Sequence, residues 1–249
     1  MADLLRGKRA FVTGGAAGLG LAIVQAFATA GARGLALDFA APAHGLPEGW
    51  NHRAGDVRDE EALAHALAGA KQSLGGLDIV VANAGIVPPW HDSEAIDLAE
   101  WDEVFAVNVR GVTATLKWAV PLMKPGGGSI IAMASVNASV GHPKQAAYVA
   151  SKHAVLGIVR ATAQDVGRFA IRVNALCPGP VATDALLARL ARRQVQGGPP
   201  VAEALGLYGK TALGRMPSQA DVAGAALFLA SELSSGMTGQ SIVVDAGAG

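Results

Sequence analysis

Only one cysteine, Cys177, occurs in the 249 residues, so the chain cannot form an internal disulfide. That composition fits a reducing compartment. Net charge is lacking too, because twenty Lys and Arg are matched by twenty Asp and Glu. A balanced chain with no basic stripe and no aromatic interleaving offers no electrostatic case for nucleic acid or an anionic membrane. The uncharged stretch Pro125 to Pro143 is interrupted by Gly126, Gly127, Gly128 and several Ser and Asn, which argues against a bilayer span. Met1 to Ala10 carries Asp3, Arg6, Lys8 and Arg9 and lacks the apolar run of a signal peptide. The six histidines, His44, His52, His65, His91, His142 and His153, have no metal-ligand spacing. No linker, internal repeat or low-complexity segment divides the chain. These absences predict one cytoplasmic domain over 1–249 that acts on small molecules, without a metal, nucleic acid or membrane.

What is present is an alternation of two periods. Short apolar runs read as buried parallel strands at Ala10–Val12, Leu35–Asp38, Leu77–Ala82, Ser129–Ala134, Arg172–Leu176 and Ser241–Val244, with a weaker one at Asn51–Ala54. Between them lie helical patterns. Leu19, Ala22, Ile23, Ala26 and Phe27 make one apolar face, and similar stretches cover Arg58–Leu74, Leu98–Met123, Gln145–Val166 and Gln219–Leu233. This rhythm predicts an α/β fold, a parallel sheet of about seven strands with helices on both faces. The rhythm breaks from Cys177 to Arg215, which reads as a long irregular lid containing one basic helix-like piece, Leu186 to Val195. Arg189, Arg192 and Arg193 of that piece read most simply as a solvated face.

The first strand runs into Thr13-Gly14-Gly15-Ala16-Ala17-Gly18-Leu19-Gly20 and then directly into a helix. Glycines permit a tight turn and close backbone approach to a pyrophosphate, while the helix N-terminus supplies N–H donors and a positive dipole. The second strand ends at Asp38, where an acid accepts hydrogen bonds from ribose hydroxyls and repels a 2′-phosphate. Tyr148 and Lys152 share a helix face, and Ser135 ends a strand thirteen residues before Tyr148. In open α/β sheets, ligands bind at such strand ends.

Gly14, Gly18 and Gly20 fit a T-G-x-x-x-G-x-G pattern, Asn83-Ala84-Gly85 an N-A-G, and Tyr148 to Lys152 a Y-x-x-x-K. In these motifs, in order and spacing, the chain resembles the classical short-chain dehydrogenase/reductase family over nearly its whole length. The resemblance implies a Rossmann-type, doubly wound three-layer sandwich and a catalytic set of Asn108, Ser135, Tyr148 and Lys152. Tyr148 would be the acid/base, its pKa lowered by Lys152 together with the positive nicotinamide ring. Ser135 would hold the reacting oxygen, and Asn108 would hold a water that links Lys152 to solvent. The cofactor would be held by Gly14, Ala17, Gly18, Leu19 and Gly20, by Asp38 and Phe39, by the adenine-contacting pair Asp56 and Val57, and by Asn83, Ala84 and Gly85. Tyr148 and Lys152 would also touch it, as would Pro178, Gly179, Val181 and Thr183 beside the nicotinamide. The acid at 38, and the absence of a basic residue at Ala17 or Phe39, imply NAD in preference to NADP.

The implied reaction interconverts a secondary alcohol (polyol, sugar, cyclic or other hydroxy compound) and its ketone. Two alternatives stand beside it. One is a 3-oxoacyl carrier protein reductase, for which Arg189, Arg192 and Arg193 would be a docking patch. The other is a catalytically silent NAD-binding regulator. His142 and Trp90 are candidate substrate contacts, although Trp90 equally reads as a cover for the core edge. Ser139 competes with Ser135 at a poorer spacing. Val244-Asp245-Ala246-Gly247 departs from the family's V-D-G-G at Ala246, and Ser218-Gln219 stands where relatives often carry an acid pair. A homotetramer, or else a homodimer, is the assembly the resemblance implies.

Overall fold

A computed structural model describes residues 3–248. Seven strands form one sheet in the order β3-β2-β1-β4-β5-β6-β7. They are β1 (Arg9–Thr13), β2 (Arg33–Asp38), β3 (Trp50–Ala54), β4 (Ile79–Ala82), β5 (Gly128–Met133), β6 (Ile171–Pro178) and β7 (Ser241–Val244). Every neighbouring pair is parallel. The chain builds outward from β1 to β3, returns to the middle, and builds the other way from β4 to β7. The reversal between β1 and β4 opens a crevice at their carboxyl ends, the usual ligand site of a doubly wound sheet.

The strands read as continuous apolar runs because both faces are covered. Alternate side chains enter opposite cores. Phe11, Val80, Ile130 and Ala132 join one core with Leu63 and Leu67 of α2 (Glu60–Leu74), Leu116 of α4 (Val112–Met123) and Val155 of α5 (Ala146–Val166). Val12, Val81, Ile131 and Met133 join the other with Ile23 and Phe27 of α1 (Gly18–Thr29) and Val222 and Leu229 of α8 (Gln219–Ala230). Side chains lock the helix starts. Asp59 accepts from the Ala62 N–H at 3.0 Å, and Ser218 and Asp221 form a reciprocal capping box. α8 therefore begins firmly without the acid pair common in relatives, and Arg215 pairs with Asp221 at 2.6 Å.

One expectation is refined and one corrected. The stretch 98–123 is helical throughout, as expected, but α3 (Leu98–Phe105) passes through a π-helical turn at Ala106–Gly111 before α4. Periodicity alone does not register one widened turn, and such turns are frequent at functional sites. The region 177–215 is not irregular. Its first two residues finish β6, and it contains α6 (Asp184–Val195) and α7 (Val201–Tyr208). Leu186, Leu190 and Ala204 bury against one another in a small core of their own, which the glycine and proline content around 197–200 masks.

Ala246, where the family usually has glycine, adopts φ +59°. The left-handed helical region costs an L residue about 1–2 kcal/mol. Glycine's extra unfolded freedom offsets about 0.5–1 kcal/mol of any relief. Ala246→Gly should therefore stabilise the chain by about 0.5–1 kcal/mol, seen as a Tm rise of ~1–4 °C in calorimetry. An unchanged or lower Tm would mean that this backbone carries no strain.

Candidate active site

The glycine turn is held open from behind. The Thr13 hydroxyl accepts from the backbone N–H groups of Asn83 and Ala84, both at 3.0 Å. The Asn83 amide donates back to the Thr13 and Gly14 carbonyls, also at 3.0 Å. The ends of β1 and β4 are thereby stitched across the crevice. Gly14 and Gly18 have φ of +64° and +51°, and a Cβ on Gly20 would collide with the Gly14 carbonyl. A side chain at Gly14 would approach the Asn83 amide to 2.9 Å. Bare backbone at the N-terminus of α1 is a cradle for an anion such as a pyrophosphate.

The crevice continues as a cavity of about 960 Å³. The predicted cofactor residues line it: Gly14, Ala17, Gly18, Leu19 and Gly20 from the turn, and Asp38, Phe39, Asp56 and Val57 from the ends of β2 and β3. Asn83, Ala84 and Gly85 follow β4, Pro178 ends β6, and Gly179, Val181 and Thr183 follow it. Asp38 faces the rim and accepts from the Ala16 N–H at 2.9 Å, so its carboxylate is tied to the glycine turn. Asp56 is gripped by Arg58 at 2.6 Å, which holds its carboxyl below the usual range. Thr183 caps α6 through its hydroxyl, accepting from the Leu186 N–H at 3.3 Å. A long cavity with a glycine cradle at one end and an acid at strand two fits a dinucleotide.

Ser135, Tyr148 and Lys152 share this cavity. Lys152 is buried and donates to the Met133 carbonyl at 2.8 Å. Burial lowers its pKa to about 8, opposed by the Cys177 thiol. Burial raises the Tyr148 phenol, opposed by the neighbouring Ser135 hydroxyl and by the charge of Arg189. The Lys152 ammonium donates to the Met133 carbonyl and stands 5.6 Å from the phenol ring centroid, and among protein groups alone, without the nicotinamide's charge, the phenol is raised rather than lowered, because burial outweighs the neighbouring charges. The Cys177 thiol is buried, and burial raises its pKa, as suits a small packing residue.

Asn108 sits in the π-helical turn, fully buried and outside the cavity wall. Its Oδ1 accepts from the Ile86 N–H at 2.8 Å, and its Nδ2 donates to the Ile86 carbonyl at 2.9 Å and the Ser151 hydroxyl at 3.1 Å. The amide thus clamps the loop after β4 to the residue beside Lys152. A Cβ on Gly85 would lie 3.2 Å from Asn108 Oδ1 and 3.5 Å from Lys152 Nζ, so only glycine leaves that gap clear.

His142 lines the cavity, but Trp90 does not. Trp90 packs edge-on against His142, centroids 4.9 Å apart, and the Arg193 guanidinium lies 3.9 Å above its ring. It joins the β4 loop, the β5 loop and α6 from outside the pocket. Ser139 turns outward and donates to the Val136 carbonyl at 3.1 Å. The reading of the arginines as a solvated face is also corrected. Arg189 lines the cavity and Arg193 covers Trp90, while Arg192 is exposed. Sequence reasoning did not assign Arg189, Asn137, Gln145 and Tyr208 to the cavity wall. For Arg189 a signal existed, since 186, 189, 190 and 193 fall on one helix face. Among the described residues, no group of three or more His, Cys, Asp or Glu could hold a metal, and no helix is long and apolar enough to cross a membrane.

A doubly wound sheet with a glycine cradle and a Ser, Tyr and Lys cluster at one cavity defines a nucleotide-dependent oxidoreductase class. Comparison with known proteins places the chain within it. Residues 14–249 match the family model described as enoyl-(acyl carrier protein) reductase. Xanthoxin dehydrogenase of Arabidopsis thaliana is 36% identical over 256 residues, covering 98% of this chain and 90% of that one. Among solved structures, the aldohexose dehydrogenase of Thermoplasma acidophilum in ligand-free form superposes with a TM-score of 0.91 at 29% identity, covering 100% and 96% of the two chains. Carveol dehydrogenase from Mycobacterium avium in complex with NAD superposes with a TM-score of 0.89 at 31% identity, covering 99% of each. The chain belongs to the classical short-chain dehydrogenase/reductase family, whose members are oxidoreductases that use a nicotinamide cofactor.

Proposed function

We propose that this chain is an NAD-dependent oxidoreductase that interconverts a secondary alcohol and its ketone, with Tyr148 as general acid/base. The observation that carries this reading is the convergence of Ser135, Tyr148 and Lys152 on the cavity that the glycine turn and Asp38 also line. Relatives named as dehydrogenases of xanthoxin, an aldohexose and carveol support a dehydrogenase over a silent binding module. The NAD in the carveol dehydrogenase structure and the acid at 38 support NAD.

In this reading the glycine turn and Asp38 hold the dinucleotide, with the Pro178 to Thr183 segment and Lys152 along its nicotinamide half. The bound nicotinamide supplies the hydride acceptor or donor. The Ser135 hydroxyl orients the substrate oxygen, and Tyr148 takes the proton from that oxygen during oxidation and returns it during reduction. Asn108 is a positioning residue that fixes the backbone around Lys152, because its side-chain amide is already bonded to protein. Residues 177–215 act as a substrate-binding lid on a single domain. A homotetramer in the cytoplasm belongs to the same reading. The carrier protein reductase alternative loses support, since two of its three docking arginines are turned toward the pocket and Trp90.

The test is absorbance of reduced cofactor with NAD and with NADP, against secondary alcohols, polyols, cyclic alcohols and ketones. NAD-linked turnover is the expected result. Tight NADH binding without turnover of any alcohol or ketone would favour the silent regulator.

A further inference from the structure

The lid brings a cation to the reacting end of the cavity and gives it no partner. Leu186 and Leu190 of α6 are buried in the lid's small core, and Arg193 on the same face is pinned over Trp90 at 3.9 Å. Trp90 in turn abuts His142 on the cavity wall. This stacking turns the face toward the pocket, and Arg189, one helical turn before Arg193, lines the cavity together with Tyr148 and Tyr208. Tyr148, Tyr208 and Arg192 are the titratable groups that feel its charge, which places the cation near the acid/base group.

Several other arginines have acids, although Arg168 and Arg193, for example, have only aromatic rings. Arg9 pairs with Asp78 at 2.7 Å, Arg58 with Asp56 at 2.6 Å and Arg215 with Asp221 at 2.6 Å. Arg172, also partly buried, donates to the Leu229 and Ser231 carbonyls and the Ser234 hydroxyl. Among the described residues, Arg189 has neither a carboxylate within ion-pair distance nor a hydrogen-bond acceptor. A guanidinium stays charged in proteins, and its planar fork matches a carboxylate through two parallel N–H···O bonds. Its nitrogens keep solvent access, so an arriving carboxylate would replace water on a cation that no protein group already neutralises.

We propose that Arg189 binds a carboxylate of the substrate, so that the compound processed here is a hydroxy- or oxo-carboxylate. The proposal rests on the preceding reading for the reaction, but the anion site itself does not need turnover to be seen. One positive charge balances one carboxylate, and its place beside Tyr148 sets the acid group near the reacting carbon.

Cyclohexanecarboxylate and its methyl ester, which have no hydroxyl to oxidise, are the probes, titrated calorimetrically into the NADH-loaded protein. The acid should bind at least about tenfold more tightly than the ester. Arg189→Gln should weaken acid binding by about 30- to 100-fold and erase the preference, and Arg189→Lys should restore part of it. Equal binding of acid and ester by the wild type would overturn the proposal. So would an acid preference that survives Arg189→Gln, as when Arg189 serves only to tune Tyr148. Should Arg189→Gln fail to fold, the wild-type preference together with Arg189→Lys still decides. If NADH does not bind, the reading of the reaction fails instead, and the same titration without it still reports on Arg189.

Discussion

Tyr148→Phe should remove turnover in both directions while NADH still binds. The ring stays and fills the same space, so only the proton-transferring hydroxyl is lost. General acid–base groups contribute about 10²–10⁴-fold to rate, and a loss of that size in kcat is the expected result. The pH dependence carries a second signature. Alcohol oxidation needs the phenolate, which burial makes scarce at neutral pH, so the oxidation rate should climb as pH rises. Ketone reduction needs the phenol and should be faster at lower pH. Stopped-flow and steady-state pH profiles in both directions, with NADH fluorescence titration of the variant, check each part. Undiminished turnover by Tyr148→Phe would remove Tyr148 from the chemistry.

Asp38→Ala combined with Phe39→Arg should reverse the cofactor preference. The Asp38 carboxylate lies at the cavity rim, fixed by the Ala16 N–H at 2.9 Å and the Ala40 N–H at 3.3 Å. It cannot swing away from a 2′-phosphate without giving up both bonds. A second anion placed against it is repelled, and like charges juxtaposed at an interface cost several kcal/mol. Phe39 is 81% exposed beside it, so an arginine there meets no steric obstacle and can reach the phosphate. The ratio of kcat/KM for NADP over NAD should rise by about 10²–10³-fold. Some loss of thermal stability should accompany it, because the Ala16 N–H in the glycine turn loses its acceptor. A wild-type protein that already prefers NADP would sink this account of Asp38.

The parts legible from sequence are those governed by local chemistry. Apolar runs such as Val80-Val81-Ala82 and Ile130-Ile131-Ala132 announced strands buried on both faces, and each lies in the sheet with alternate residues in opposite cores. Gly14, Gly18 and Gly20 announced a turn because only bare backbone fits there, and positive φ at the first two and the blocked Cβ of the third agree. The Tyr148 and Lys152 spacing guarantees a shared helix face, and Ser135 at a strand end lies at the same cavity.

What sequence spacing could not reach was decided by contacts between distant segments. The widened turn at Ala106–Gly111 places Asn108 where Ile86 and Ser151 saturate its amide, a bonding pattern set by tertiary packing. The balance of charge at Tyr148 depends on burial and on Arg189, forty-one residues away in the chain, rather than on the lysine one turn along its own helix. Trp90 left the pocket because Arg193 and His142 hold it from two sides. Sequence by itself determined the layers and the strand-end cradle, since these follow from period, glycine and residue type. Only the tertiary structure decided which side chains face the cavity and how they titrate, because desolvation and charge act through space across segments that the chain keeps far apart.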